Sequence, residues 1–531
     1  MTRRSWLVGA FAVLAFAQTL AYYVYLRDDP GNYNGAGAQG DQVAYVDLAQ
    51  QLLHGTWQGA VHYMPGLPAV IALSQVLLGD PRLGLAVVQG LIYALLVVFA
   101  ARLAAMAFGD ASSVWAAGAV GLNPALGYYA AQALTEFLTA AGLLALVGAV
   151  FAWSRRPRVY PVERSGARVH PVERSGAWVH PVERSGAWVH PVERSGARVG
   201  LAALAGLLLG ALAYLRAEYL GLAVLFALIV LLVGVRRSGA SGALAHGLVL
   251  LGVTALVMAP WVVRYAVATG RPALYNESPF SNLVLMGTWF RVFDEQTFAE
   301  LQQIETAPGS RAEAIQRAAA LGPRPELSQR YMEQARGPYE RPLDETVGLA
   351  LGNIQLNLRP YLVNHVVLAP VLIWAGHTPV RQADAPHLPA SGRYAIWAAE
   401  LGLLGLALWQ AVLVLGGSAR PLAPLARGRR PRMDYPEGTQ VGGPERLEGL
   451  VGGRSNHGEP GGSSAACGSE GTAALALSFL AVVVFLTVVH VVIGVDERFT
   501  TPALPLIGVF AGARLAGLAR GRQSVAVRYA Q

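Results

Sequence analysis

Two acids and a few arginines stand out in a chain that is otherwise mostly apolar. Asp41 lies in GDQVAYVDLAQQLLHG (40–55), Glu136 in LNPALGYYAAQALTEFLTA (122–140) and Arg216 in YLRAEYL (214–220). Arg264 lies in APWVVRYAVATG (259–270) and Arg498 in DERFTTPALPLIGVFA (496–511). A carboxylate held within about 3 Å of a hydroxyl can take its proton while the oxygen attacks. An arginine offers a fork of donors to a phosphate and stays charged throughout. Asp41, with Glu136 as a second candidate, fits the first role; Arg216, Arg264 and Arg498 are candidates for the second. Plainer roles stand beside these. An acid at a helix start caps it, arginines at a bilayer boundary snorkel, and Glu136 could pair structurally with one of them. Asp47, about 600° round a helix from Asp41, faces away from it. His54 and His62 are candidates for an acceptor or a divalent ion, although their spacing makes no metal signature.

These residues must be positioned by membrane helices. The 531 residues are 54% hydrophobic and 14% charged, whereas a soluble domain carries about a quarter charged residues. The expected class is an all-α polytopic membrane protein with about 10–12 transmembrane or re-entrant helices. Apolar segments at 6–25, 83–107, 112–128, 131–153, 200–215, 217–235, 243–265, 393–416, 475–494 and 502–518 are expected to cross. The stretches 66–79 and 354–375 are expected to be half-buried or interfacial. The first is short, and the second carries Arg359, Pro360, Asn364 and His365. With that assignment Arg155, Arg156, Arg236, Arg237, the Arg427–Arg432 cluster and Arg514 to Arg522 all fall in the cytoplasm, with both termini. The loop 26–82, the 129–135 turn, the surroundings of Arg216, the region 266–392 and the 495–501 turn then lie outside. Met1 to Tyr25 reads as an uncleaved first span, since no Ala-x-Ala site precedes the polar stretch that follows it.

Composition also excludes chemistry. The formal charge of +8 comes from arginine alone, since the chain has no lysine. A P-loop lysine or a Schiff base is therefore impossible. The arginines flank apolar runs, so nucleic acid is not an expected partner. The single Cys467 rules out an intrachain disulfide and a cysteine-clustered metal site. No GxGxxG follows a strand pattern, and no nucleotide cofactor is expected.

Three modules follow. Residues 1–265 form an N-terminal transmembrane catalytic module with a repeat-bearing cytoplasmic loop at 155–200. Four copies of a ten-residue PVERSGA-type unit fill 161–200, and their Pro and Ser-Gly are expected to block a continuous helix. Residues 266–392 form an extracytoplasmic cap and interfacial helix, in which FDEQTFAELQQIETA and SRAEAIQRAAALG predict two short amphipathic helices with turns at Pro308 and Pro323. Residues 393–531 form C-terminal helices interrupted by a glycine-rich linker at 421–472, expected to be disordered.

The ordered series of motifs, with HYMPGLPAVIALSQVLLG (62–79) between the first two, resembles the bacterial membrane glycosyltransferases that use polyprenyl-phosphate sugars. That group is related to protein O-mannosyltransferases and aminoarabinose transferases. The resemblance spans most of the chain outside the repeats and the linker. It implies a GT-C type fold with an extracytoplasmic first loop and a small cap. It also implies an inverting transfer from a polyprenyl-phosphate-linked sugar to a glycan, lipid or protein acceptor at the outer face of the cell membrane. Asp41 then matches the family's catalytic base and Glu136 its second acid, while Arg216 and Arg498 match phosphate-holding positions. Tyr45 and His62 fall within the substrate-binding motifs. The chain departs from the family at Phe499, where a tyrosine is usual, and at Met64-Pro65-Gly66, where aminoarabinose transferases carry Lys-Pro-Pro. Lipid A aminoarabinose transfer is therefore not expected. The rival class is a transporter or flippase for a lipid or sugar, which predicts charges strung through mid-membrane and matching broken helices in two halves.

Overall fold

The computed structural model describes residues 2–27, 41–57, 63–155, 192–270, 283–338, 341–376, 389–419, 461–493 and 497–530. The described residues are helical, with no strand among them. Ten helices are long and apolar enough to cross a membrane. Their apolar surface is consistent with lipid as the surrounding solvent, and the chain is an all-α polytopic membrane protein.

Helix α1 (Arg3–Arg27) leads to α2 (Asp41–Leu53), α3 (Gly66–Leu78), α4 (Pro81–Phe108), α5 (Ala111–Gly121), α6 (Pro124–Ala130) and α7 (Thr135–Arg155). Two ends of this bundle are fixed by side-chain contacts. At one end Arg155 donates from Nη1 to the carbonyl of Met106 (2.9 Å), and Arg4 pairs with Asp110 (3.9 Å). The starts of α2 and α7 meet at the other end, where the backbone N–H of Ala133 donates to Oε1 of Gln42 (3.4 Å). The return from Met106 to Glu136 must therefore be made by α5 and α6 together. The segment expected as one span over 112–128 is broken at Asn123–Pro124. Pro124 cannot donate a helical N–H, and the Asn123 carboxamide caps the new helix through Leu126 N (3.1 Å).

Helix α8 (Val192–Leu215) rises to Arg216, and α9 (Leu220–Thr269) descends and returns. Gly239 makes the reversal at φ 74°, in the left-handed region that glycine tolerates, so 217–235 and 243–265 act as two crossings, as expected. The last repeat unit departs from expectation. Although Ser-Gly was expected to interrupt it, Val192 to Gly200 is already helical, an extension of the apolar helix that follows. The remaining repeats lie outside the described residues. The same correction applies to 461–472, which is helical as the start of a helix running over Gly461–Ile493 and not a loop.

The cap holds three amphipathic helices, α10 (Glu295–Thr306), α11 (Arg311–Ala318) and α12 (Pro325–Ala335). The first two match expectation; the third was not read from the sequence. Leu301, Ile304, Ala318, Leu327, Tyr331 and Met332 enclose Trp289 between them. Helix α13 (Leu343–Leu356) then joins a helical run, α14 (Leu358–Ala375). The latter is long enough to cross, but its contacts hold it at one end of the bundle. His365 Nδ1 meets the carbonyl of Val491 (2.7 Å), and Trp374 Nε1 donates to Thr487 Oγ1 (2.8 Å). Nine residues along α14 thus correspond to four along the helix it touches, so it lies obliquely. The carbonyl of Ala375 accepts from Trp397 (2.9 Å) near the start of α15 (Ala390–Ala419). Helix α3, with 13 residues, is too short to cross at about 1.5 Å per residue. Helices α16 (Gly461–Ile493) and α17 (Leu504–Ala530) complete the bundle.

Candidate active site at one end of the bundle

Asp41 is the first residue of α2, where the unsatisfied N–H groups of the first turn favour a carboxylate. Tyr45, Leu48 and Ala49 form the buried stripe that docks the helix, three and four residues apart. Tyr63, just ahead of α3, lies over the start of α2. The Tyr63 hydroxyl donates to Asp41 Oδ1 at 3.2 Å, and its ring meets Tyr45 edge-on with centroids 5.0 Å apart. Two amides fasten this unit to the α6–α7 turn, with Gln42 Nε2 donating to Gln132 Oε1 at 3.3 Å.

That attachment brings in Glu136, in the first turn of α7 and only 2% exposed. A carboxylate buried that deeply needs a cation. Arg216 supplies it, with Nη1 3.6 Å from Glu136 Oε1. The arginine can reach because α8 ends at Leu215 and the backbone of Arg216 is extended (φ −153°, ψ 122°), turning the chain into a short 3-10 turn at Ala217–Tyr219. Arg216 Nε also donates to Glu218 Oε1 at 2.5 Å. Burial opposes the guanidinium charge, but Glu218 and then Glu136 outweigh it and hold its pKa above the ordinary arginine value. Burial likewise pushes the Tyr45 phenol well up; Arg216 counters, while Asp41 and Glu136 add to the rise. Tyr45 therefore stays protonated, within electrostatic reach of both acids.

The helix of Asp41 and Tyr45 is thus fastened through Gln42 to the turn that leads into Glu136, whose partner is Arg216. Arg264 is not placed against them by any direct contact. It donates to the carbonyl of Trp57 (3.2 Å) and lies 4.6 Å over the Trp57 ring, bracing the segment after α2 from the end of α9. The backbone of Arg498 lies in the 3-10 turn Glu497–Ala503, which packs on α7 at the same end. Its side chain and the whole of His62 lie outside the described residues. Asp47 is exposed, in keeping with its place away from Asp41. His54 turns back onto the Gln50 carbonyl (2.8 Å). Among the described residues no cluster of three His, Cys, Asp or Glu side chains is placed to hold a metal ion.

Tyr128 and Tyr129 are 2% and 3% exposed. They pack edge-to-face with each other, and Tyr128 also with Tyr22, because the break at Pro124 turns them into the core. Four participants were missed: Gln42, Tyr63, Gln132 and Glu218. Tyr63 lies inside the quoted HYMPGLP motif and Glu218 two residues after Arg216, so proximity to named motifs was the available signal.

No protein-family model matches the chain, and no curated protein matches it. Among solved structures, a match is the archaeal oligosaccharyltransferase AglB from Archaeoglobus fulgidus, in complex with an inhibitory peptide and a dolichol-phosphate. The identity is 12%, the TM-score 0.49, and the alignment covers 98% of this chain and 51% of that one. The chain thus spans about half the length of the structure it matches.

Proposed function

We propose that the chain is an inverting glycosyltransferase of the GT-C type, moving a sugar from a polyprenyl-phosphate carrier to an acceptor hydroxyl at the extracytoplasmic face of the membrane. The observation that carries this reading is the fastening of the start of α2, which bears Asp41, to the α6–α7 turn that leads into the buried Glu136–Arg216 pair. The motif resemblance supports the same assignment. The acceptor oxygen attacks the anomeric carbon as the bond to the phosphate oxygen breaks. Asp41 takes the hydroxyl proton, and the phosphate leaves with the bonding electrons. Tyr63 holds the Asp41 carboxylate in place during this step. Arg216 stabilises charge on the departing phosphate while Glu136 and Glu218 fix its guanidinium plane.

Sidedness follows from the arginines. Arg4, Arg155 and Arg236 lie at the end opposite Asp41, and Gly234 beside Trp153 places Arg236 there. Positive residues favour the cytoplasm, which supports reading Asp41 as outside and both termini as cytoplasmic. The test is transfer from a polyprenyl-phosphate sugar by membranes carrying Asp41→Asn. Turnover is expected to fall by roughly 100-fold or more, the scale of a lost general base. Undiminished turnover would remove Asp41 from the reaction. Lipid-sugar translocation into vesicles without transfer would make the chain a transporter instead.

A further inference from the structure

Helix α13 is amphipathic in the reverse sense for a helix bathed in water. Its buried stripe is largely polar: Thr346, Ala350 and Asn353, continued by Asn357, all 5% exposed or less. Asn353 accepts from Arg330 Nε (2.8 Å) and donates to Thr288 Oγ1 (2.9 Å) and Gln334 Oε1 (2.8 Å), and Asn357 accepts from Arg324 (3.0 Å). This stripe clasps the cap. About 100° further round run Val347, Leu351, Ile354 and Leu358, spaced by three or four residues. Val347 is 45% exposed, Leu351 53% and Leu358 53%. Past the helix break at Asn357, exposed apolar residues resume along α14 at Leu362, Val366 and Val371. That run is long and apolar enough for a bilayer.

We propose that α13 lies along the membrane surface, with Val347, Leu351 and Leu358 sunk into the boundary between headgroups and acyl chains, so that it seats the cap on the bilayer. The occupant of this face is lipid, because the strip leads directly into a helix whose exposed apolar residues and length suit a bilayer. The flanking charges agree. Asp344 and Glu345 are exposed in the first turn of α13, and exposed Arg359 follows Leu358 where its guanidinium can reach headgroups. The polar network through Asn353 makes the cap and the lipid-facing helix one unit, so the depth of α13 sets the height of the cap over the site. The proposal rests on the membrane fold and stands independently of the sugar-transfer reading.

The full chain with Cys467→Ser offers a cysteine-free background. Val347→Cys, Leu351→Cys, Glu345→Cys and Gly348→Cys, each labelled with bimane and reconstituted in phosphatidylcholine vesicles, test the face. Gly348 has open space around it and accepts a side chain. Labels at 347 and 351 are expected to emit blue-shifted and to be quenched by acyl-brominated lipid but not by aqueous iodide; labels at 345 and 348 should show the reverse. Iodide quenching at 347 and 351 without bromolipid quenching overturns the proposal. Protection from both quenchers, with the chain running as a dimer, overturns it in favour of a second copy on this face.

Discussion

Gly66 is the position where a single methyl group should disturb the site most. It opens α3 against the end of α8, and a Cβ there would lie 2.5 Å from the Tyr214 carbonyl oxygen and 2.8 Å from its carbon. Both atoms are backbone, next to Arg216. Ordinary contact begins near 3.4 Å, so α3 must retreat by roughly 0.9 Å, and overpacking of that kind costs about 1–3 kcal/mol. The retreat pulls on Tyr63, three residues earlier. Its bond to Asp41 is already 3.2 Å long, and a further 0.9 Å or so takes it beyond hydrogen-bonding range. A bond to a charged group is worth about 1.5–3 kcal/mol, which is roughly 10- to 100-fold if spent on the reaction. Gly66→Ala should therefore melt earlier in detergent and turn over lipid-linked sugar at least about tenfold more slowly. Gly252→Ala, in a helix with open space around it, serves as a control and should be neutral or slightly stabilising. A Gly66→Ala protein with wild-type melting and turnover would refute the packing of α3 on α8 and the link from it to Asp41.

The buried pair should respond asymmetrically. Arg216→Ala strands Glu136 at 2% exposure and is expected to cost roughly 3–5 kcal/mol, whereas Glu136→Ala leaves Arg216 its bond to Glu218 and should cost less; thermal unfolding of both variants checks the order. Tyr63→Phe removes one donor to Asp41 with little change in packing, so kcat should drop while KM for the lipid-linked sugar stays within about twofold. In the cap, the backbone N–H and hydroxyl of Thr297 hold the Asp294 carboxyl below the usual range. Its stabilising contribution is complete above the unfolded carboxylate pKa and is lost as pH falls through the lowered folded value. Asp294→Asn should therefore remove part of the acid-side rise in amide exchange across 295–306, measured by hydrogen exchange.

Much of the arrangement was legible because the signals are local. Unbroken apolar runs specify helices that need lipid, and stripes three or four residues apart specify α2 and the first two cap helices. Paired arginines separate one end of the bundle from the other. Asp41, Glu136 and Arg216 could be singled out because charges are costly in such a chain wherever they are not used. Tertiary structure decided what local patterns leave open. The polar residues of 354–375 mark it as half-buried or interfacial, but only the meeting of His365 with Val491 and of Trp374 with Thr487 decides which helix α14 lies against. The break at Asn123–Pro124 buries two tyrosines that would otherwise suit an interface. No periodicity could assign the second acid on Arg216 or the donor on Asp41, because those contacts join residues of separate elements or depend on how the chain turns after α8. Free energy of helix formation is settled by neighbours along the chain, whereas ion pairing and burial are settled by whichever groups packing brings within a few ångströms.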